Sequence, residues 1–509
     1  MKRREFLRSA TTGLVATMLP VSSVLAKAID ARENQSRTPN VLFIAVDDLR
    51  PTLACFGDPL AITPNIDALA SQGMLFDRHF VQAPSCAPSR TSMLTGLRPD
   101  EVEVTNHKTH FRDTRPDVTT MPQLFKNQGY TAINLGKIFH YKSGYNDSVS
   151  WNAEHFLKGE EPSYVLPENR KVNGKAASTE SPAVDDTAYT DGKIAEKAIE
   201  YLTKFKETDT PFFLGIGHLK PHLPFNAPKK YWDLYDREDF GTIENRERPS
   251  NAPEIAFHQW QELRGYKDIP GKGALSAAKE KELRHGYYAC VSYVDAQIGK
   301  VLKTLDKLNL RENTIIVLWG DHGYHLGEQD LWCKSTNFDL SARSPLIISA
   351  PGMENRGDTC DAFVESLDIY PTIVDLAGMA PDQKLSGRSL QPLLEDPESE
   401  WDGAAFNQFA RPYKAAIGGG ANHPITHMGY SVRVEGWRYT AWYNYEKEVF
   451  EHPELYSFEQ YSVPFGNTAI PTVNLAGKPE YSEIESRLQG MIEEYSMCDQ
   501  KTVWHKPED

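Results

Sequence analysis

An α/β fold with a large, mostly parallel sheet is predicted by three features of the sequence: buried-type strands, acids at their carboxyl ends, and amphipathic helical periodicity between them. Val41 to Val46 reads Val-Leu-Phe-Ile-Ala-Val, the length and β-branching of a strand covered on both faces, and it stops at Asp47-Asp48. Thr314 to Leu318 gives a second such run, ending at Asp321-His322 after Trp319 and Gly320. Between them, Val291, Val294, Ile298, Val301, Leu305 and Leu308 recur at three- and four-residue steps, the apolar stripe of a helix. Helix, then strand, then acid is the order of an α/β domain.

The remaining elements follow in order. Further strands are predicted over 131–135, 212–216 and 346–349, each after a helical or polar stretch. Residues 141–185 are polar, contain proline and lack a clear period, so they read as a surface excursion. Helix resumes with Ile194, Ala198, Ile199 and Leu202. An acidic stretch from Glu395 to Glu400 leads to Tyr430–Val434 and Tyr439–Tyr443, which flank Glu435-Gly436 as an antiparallel hairpin. A helix from Ile484 to Tyr495 is expected to pack on it. The implied organisation is an N-terminal leader over 1–28, a large α/β domain over 29–394 and a smaller antiparallel-sheet subdomain over 395–509.

Composition narrows the function. The chain has 509 residues, enough for a large core, and 40% of them are hydrophobic, which excludes wholesale disorder. Its 55 basic and 70 acidic side chains sum to −15, a field that repels phosphate backbones and argues against nucleic acid as a partner. An anionic substrate therefore needs a locally basic pocket.

The leader begins Lys2-Arg3-Arg4-Glu5-Phe6-Leu7-Arg8 and continues with a short apolar run from Gly13 to Ala26 that ends in small residues. This resembles a twin-arginine export signal, cleaved after Ala26 or Ala28, and implies a periplasmic or secreted protein. The run falls short of the roughly 18 to 20 apolar residues of a membrane span and contains Pro20, so no membrane anchor is expected. The six cysteines, at 55, 86, 290, 333, 360 and 498, match no zinc spacing and imply no disulfide framework.

In open α/β sheets, ligands gather beyond the carboxyl ends of the strands. The predicted strands bring Asp47, Asp48, Asp321 and His322 to that edge, and like charges crowded together require a cation. Three carboxylates suit a hard ion, calcium or magnesium, although a histidine nitrogen is a softer donor. A second signal is Ser85-Cys86-Ala87-Pro88-Ser89-Arg90-Thr91-Ser92-Met93-Leu94-Thr95-Gly96. Pro88 is tolerated only in the first turn of a helix, which puts Cys86 at a helix start, where free amides favour an anion. A lone cysteine at such a place is ordinarily a buried structural thiol.

Cys-x-Pro-Ser-Arg followed by Thr-Ser-x-Leu-Thr-Gly resembles the signature of the type I sulfatases, whose cysteine a maturation enzyme oxidises to formylglycine. The likeness extends to Pro39-Asn40-Val41-Leu42, Thr63-Pro64-Asn65-Ile66-Asp67, Gly136-Lys137-Ile138-Phe139-His140, Asp321-His322-Gly323 and Leu385-Ser386-Gly387-Arg388. Four segments resemble the iduronate-2-sulfatase branch: Asp47-Asp48-Leu49-Arg50-Pro51, Lys220-Pro221-His222-Leu223-Pro224-Phe225, Lys334-Ser335-Thr336-Asn337-Phe338-Asp339, and Met428-Gly429-Tyr430-Ser431 with Arg438-Tyr439-Thr440. The resemblance implies an alkaline-phosphatase-like fold and hydrolysis of sulfate esters on a glycan, including uronate 2-sulfates.

By resemblance, Asp47, Asp48, Asp321, His322 and the modified Cys86 hold calcium, with magnesium as the alternative. The hydrated aldehyde at Cys86 supplies an oxygen that attacks sulfur, and its second hydroxyl later expels the sulfate. Arg90 orients that diol, Lys137 and Lys334 clamp sulfate oxygens, His140 is the base that assists release, and His222 is the acid that protonates the leaving oxygen. His218, Lys220 and His325 read as flanking residues, and the charged stretch Asp236 to Asn251 as a solvated run. Two departures from the branch, Gln329 in Gly327-Glu328-Gln329 and Cys333 before Lys334, are expected near the substrate mouth. The competing readings are a phosphoryl or phosphonate hydrolase of the same superfamily and a non-catalytic glycan-binding relative with a reduced cysteine.

Overall fold

The computed structural model describes residues 38–140, 146–155, 163–170, 175–401, 403–418, 424–458 and 469–497. The leader over 1–28 and Cys498 lie outside them. An eight-stranded sheet forms from β1 (Asn40–Val46), β2 (Met74–Phe76), β3 (Thr131–Gly136), β4 (Ala153–His155), β5 (Phe212–His218), β6 (Thr314–Gly320), β7 (Leu346–Ser349) and β8 (Thr359–Cys360). Their order is β8-β2-β7-β6-β1-β5-β3-β4, and only β7 runs against the rest.

β1 is central because its sequence suits both faces. All its residues are buried, and alternate side chains enter two separate cores: Leu42, Ile44 and Val46 on one side, Val41, Phe43 and Ala45 on the other. Each such side chain contributes roughly 1.5–3 kcal/mol when fully buried, so an interior strand of this composition has no stable place at a surface. The first core is closed by α1 (Pro64–Ala70), α3 (Thr190–Thr208) and α4 (Ala277–Lys307). The second is closed by α2 (Cys86–Thr95) and α5 (Ile369–Leu376). Register then decides the site. Val46 lies level with His218 and with Gly320, and Gly136 with Gly217, so β1, β3, β5 and β6 all end at one edge.

A second sheet of β9 (Ala404–Arg411), β10 (His427–Val434), β11 (Trp437–Asn444) and β12 (Val449–Ser457) is antiparallel throughout. Its β10–β11 turn is the expected Glu435-Gly436, with Gly436 at φ 72, where a side chain would be strained. α6 (Ser482–Met497) covers this sheet with Leu488, Ile492 and Tyr495.

One expectation is corrected. Residues 141–185 are not wholly a surface excursion, because β4 within them forms the outer strand of the main sheet, Ile133 pairing with Ala153 and Leu135 with His155. Ala-Glu-His carries no apolar run, so pairing to the exposed edge of β3 makes it a strand, and its sequence pattern does not announce it. Among the described residues, no helix is long and apolar enough to cross a membrane. Cys55, Cys86, Cys290, Cys333 and Cys360 are all free thiols.

Candidate active site

The shared strand edge delivers the charged residues together. Asp47 and Asp48 leave β1, Asp321 and His322 leave β6, and Lys137 leaves β3. Asp48 adopts φ 59, a left-handed conformation that aspartate tolerates better than most residues, and its amide donates to Asp321 Oδ1 at 3.0 Å. α2 meets this edge with its first residue. Ser85 is extended, Cys86 opens the helix, and Pro88 lies in the first turn, where no intrahelical N–H is needed. Cys86 Sγ lies 3.4 Å from Asp47 Oδ1 and 3.3 Å from His322 Nε2. One helical turn later, Arg90 Nε donates to Asp321 Oδ2 at 2.8 Å, and its Nη2 lies 3.5 Å from Asp47.

Each predicted lysine reaches one of the two acids that leave β1. Lys137 Nζ donates to Asp47, and Lys334 Nζ donates to Asp48 Oδ1 and Oδ2 at 2.7 and 2.9 Å. His322 Nδ1 lies 3.0 Å from the carbonyl oxygen of Gly323, and its Nε2 lies 3.5 Å from Asp48 Oδ1 and 3.6 Å from Asp321 Oδ1. A nitrogen of His222 lies within 4.8 Å of Asp47, Asp48 and Cys86. The ring of His140 packs 4.6 Å from that of His107. A cavity of about 520 Å3 opens over this group and is lined by Asp47, Cys86, Lys137, His140, His222 and Lys334.

Burial works against the charge of Asp47, but Lys137, His222, Arg90 and Lys334 together outweigh it and hold the carboxyl well below the ordinary range. Burial pushes Asp321 up, with Arg90 and His322 offsetting only part. Burial, then the charge of Asp47, pushes the Cys86 thiol well above its ordinary value. Burial opposes the ammonium of Lys334, yet Asp48 and Glu262 hold it well above the usual lysine range. Burial, then Lys137 and His107, keeps His140 far below an ordinary imidazole and therefore neutral.

The donor set fits a divalent cation. Ligand atoms of Asp47, Cys86, Asp321 and His322 lie within 4.8 Å of one another, as do those of Asp47, Asp48, Cys86 and His222. Carboxylates supply half of each set, the oxygen donors that a hard ion takes.

Other residues fall elsewhere. His218 is buried with Nδ1 3.2 Å from Asp191 Oδ1, and His325 Nε2 meets Thr336 Oγ1 at 3.1 Å. Lys220 lines the cavity, but its Nζ donates to the carbonyls of His222 and Pro224 at 2.8 and 2.6 Å. The expectation that Gln329 and Cys333 lie near the mouth is corrected. Gln329 is buried, its Nε2 donating to Pro471 O at 3.4 Å, and Cys333 joins the first core and accepts from Tyr324. Cys333 ends a two-residue strand with a left-handed backbone, φ 73, and after this turn Lys334 lines the cavity while the thiol does not. The run from Asp236 to Asn251 is not wholly solvated either, since Phe240 is fully buried and Arg246 pairs with Glu280.

Two residues of the site carry no motif. Glu262 approaches His222 Nε2 at 3.1 Å and Lys334 Nζ at 3.2 Å, and His107 Nε2 meets Ser85 Oγ at 2.5 Å. Both sit in irregular segments, and only the fold brings them in.

Acids and Lys137 at the strand ends of an α/β sheet, joined by a helix-start cysteine and Lys334 in one cavity, define an α/β protein with a site suited to a cation and an anion together. The sulfatase family's sequence profile matches residues 39–379, and the profile of the N-sulphoglucosamine sulphohydrolase C-terminal region matches residues 327–497. The chain is 33% identical to the iduronate 2-sulfatase of Mus musculus, over 81% of this chain and 86% of that protein. It is 32% identical to the iduronate 2-sulfatase of Homo sapiens, over 86% and 91%. A solved enzyme in complex with its substrate D-glucosamine-2-N,6-O-disulfate shares the fold with a TM-score of 0.71 at 23% identity, over 90% of this chain and 98% of that one. The chain belongs to the sulfatase family. It is a sulfuric ester hydrolase.

Proposed function

We propose that this enzyme is exported and removes sulfate from a sulfated glycan, at the 2-position of a uronate, using a formylglycine made from Cys86 by a maturation enzyme. The observation that carries this reading is the position of Cys86 Sγ, within 3.4 Å of Asp47 and His322 at the start of α2. The iduronate 2-sulfatases among the relatives support the uronate substrate. Arg3-Arg4 and the apolar run from Gly13 to Ala26 support export. In this reading residues 29–394 carry the chemistry and 395–509 form the supporting subdomain.

Asp47, Asp48, Asp321 and His322, with residue 86, would hold the cation, which we take to be calcium. When bound, it supplies positive charge beside the attacking and sulfate oxygens. Arg90, fixed to Asp321, orients residue 86 from one helical turn away. Lys137 and Lys334 neutralise sulfate oxygens as charge develops, from ammonium groups already at the cavity floor. His140, kept neutral by burial beside Lys137, accepts the proton during sulfate release. His222 donates a proton to the departing sugar oxygen.

Screening defined 2-, 4- and 6-sulfated saccharides beside a matched phosphate ester tests this directly. The expected result is release of sulfate from a uronate 2-sulfate that stops on chelation and returns with calcium. Turnover of the phosphate ester alone would overturn it.

A further inference from the structure

A second cluster of metal-type ligands stands on the antiparallel sheet, outside the active cavity. Among the described residues, His427, Glu451 and His452 each offer one ligand atom, all within 4.8 Å of one another. His427 Nε2 lies 2.9 Å from Glu451 Oε1, and His452 Nε2 lies 3.7 Å from the same oxygen. Ligands set tetrahedrally around zinc at its usual bond lengths stand about 3.3 Å apart, a value these two distances bracket.

Strand register explains how residues from two strands that do not pair come to meet. His427 opens β10 level with Asn444 of β11, and Asn444 is level in turn with Val449 of β12. Glu451, two residues beyond Val449, shares its face, and Asn444 Nδ2 donates to Glu451 Oε1 at 2.8 Å. A regular strand would send His452 to the opposite face. The ladder is interrupted there instead: Glu451 pairs with Trp442 and Glu454 with Thr440, which leaves His452 and Pro453 opposite Ala441 alone. His452 takes a left-handed backbone, φ 53, and its ring comes round to Glu451.

The other contacts of the cluster hold the ligands from outside the space they share. Thr426 Oγ1 lies 2.9 Å from His427 Nδ1, while Nε2 is the nitrogen that faces Glu451. Lys447 Nζ donates to the second carboxylate oxygen, Oε2, at 2.8 Å, and leaves Oε1 to the two rings. His452 is half-exposed, so solvent can complete the shell of an ion. We propose that His427 Nε2, Glu451 Oε1 and His452 Nε2 form a zinc site that fastens the outer strand β12 to β10 across β11. Two imidazoles and one carboxylate are a softer set than the acids at the strand ends, which favours zinc over calcium here. The sulfatase reading neither supports this site nor depends on it.

Zinc added to the full-length enzyme already loaded with calcium tests the assignment, with equilibrium dialysis to count bound ions and thermal melting as the second readout. The parent is expected to retain one more zinc ion per chain than His452→Ala or Glu451→Gln. Only the parent should melt higher in zinc than in chelator, by about 1–3 °C at saturation. Glu451→Gln keeps the size of the side chain and removes its charge, so it should lose the ion while melting like the parent in chelator. Equal zinc retained by the parent and both variants, or no zinc retained by the parent beyond the calcium already bound, would overturn the proposal.

Discussion

Lys334 and Asp339, at the two ends of one short segment, carry buried charges into opposite surroundings. Lys334 sits at the cavity floor, shared between Asp48 and Glu262, among acids that crowd around residue 86. Asp339 sits where the second sheet meets the first, between Arg433 and Arg438. There Arg438 also donates to Asn337 O, Asn407 Oδ1 and Ser431 Oγ at 2.7–2.8 Å. The junction is a buried network in which two arginines share one carboxylate and Arg438 is held further by fixed acceptors. The cavity holds the same chemistry with an opening above it and partners that a substrate can replace. Buried charge by itself therefore says little about function, and what separates the two clusters is access.

The contrast predicts different losses when each cluster is cut. Cys86→Ala should keep the fold and melting temperature yet lower turnover by about 10^4-fold or more, which steady-state rates on a sulfate ester would measure. A variant with parental rates would break the comparison, since the open cluster would then hold no nucleophile. Asp339→Ala should act the other way, destabilising by about 3–5 kcal/mol in denaturant titrations, because it leaves two arginines buried without their carboxylate. A change near zero would mean that the junction is wetter than it looks.

A smaller effect comes from Glu454, a buried carboxyl in the second sheet that accepts from Trp442 Nε1 and Tyr456 OH. Burial pushes it up to about 7, with those two hydrogen bonds offsetting only part. The folded protein thus holds a proton that the unfolded chain releases near its ordinary value of 4.5, so this contribution is full below that pH and is lost as pH rises through about 7. Glu454→Gln should flatten the fall in unfolding free energy between pH 5 and pH 8, by at most about 3 kcal/mol in denaturant titrations. Parallel pH curves for parent and variant would contradict the assignment.

Much of the strand-end cluster is legible in the sequence because strand ends and a helix start are local signals. The apolar run before Asp47 and the proline after Cys86 each place their neighbour without reference to the rest of the chain. Glu262 and His107 are not legible, because each enters the cavity from an irregular segment with no period and no motif. Ala153–His155 is missed for a related reason: its identity as a strand comes from the edge it pairs with, not from its own residues. Gln329 and Cys333 show the converse error. Nearness to Lys334 along the chain suggested nearness to substrate, and the left-handed turn at Cys333 puts the thiol in the core instead.

The central claim is that residue 86 is an oxidised side chain set among acids at the strand ends. Mass spectrometry of the peptide containing residue 86, from enzyme made in its native host and active on a sulfate ester, should find an aldehyde or its hydrate there. An active preparation carrying only the unmodified thiol would contradict the account.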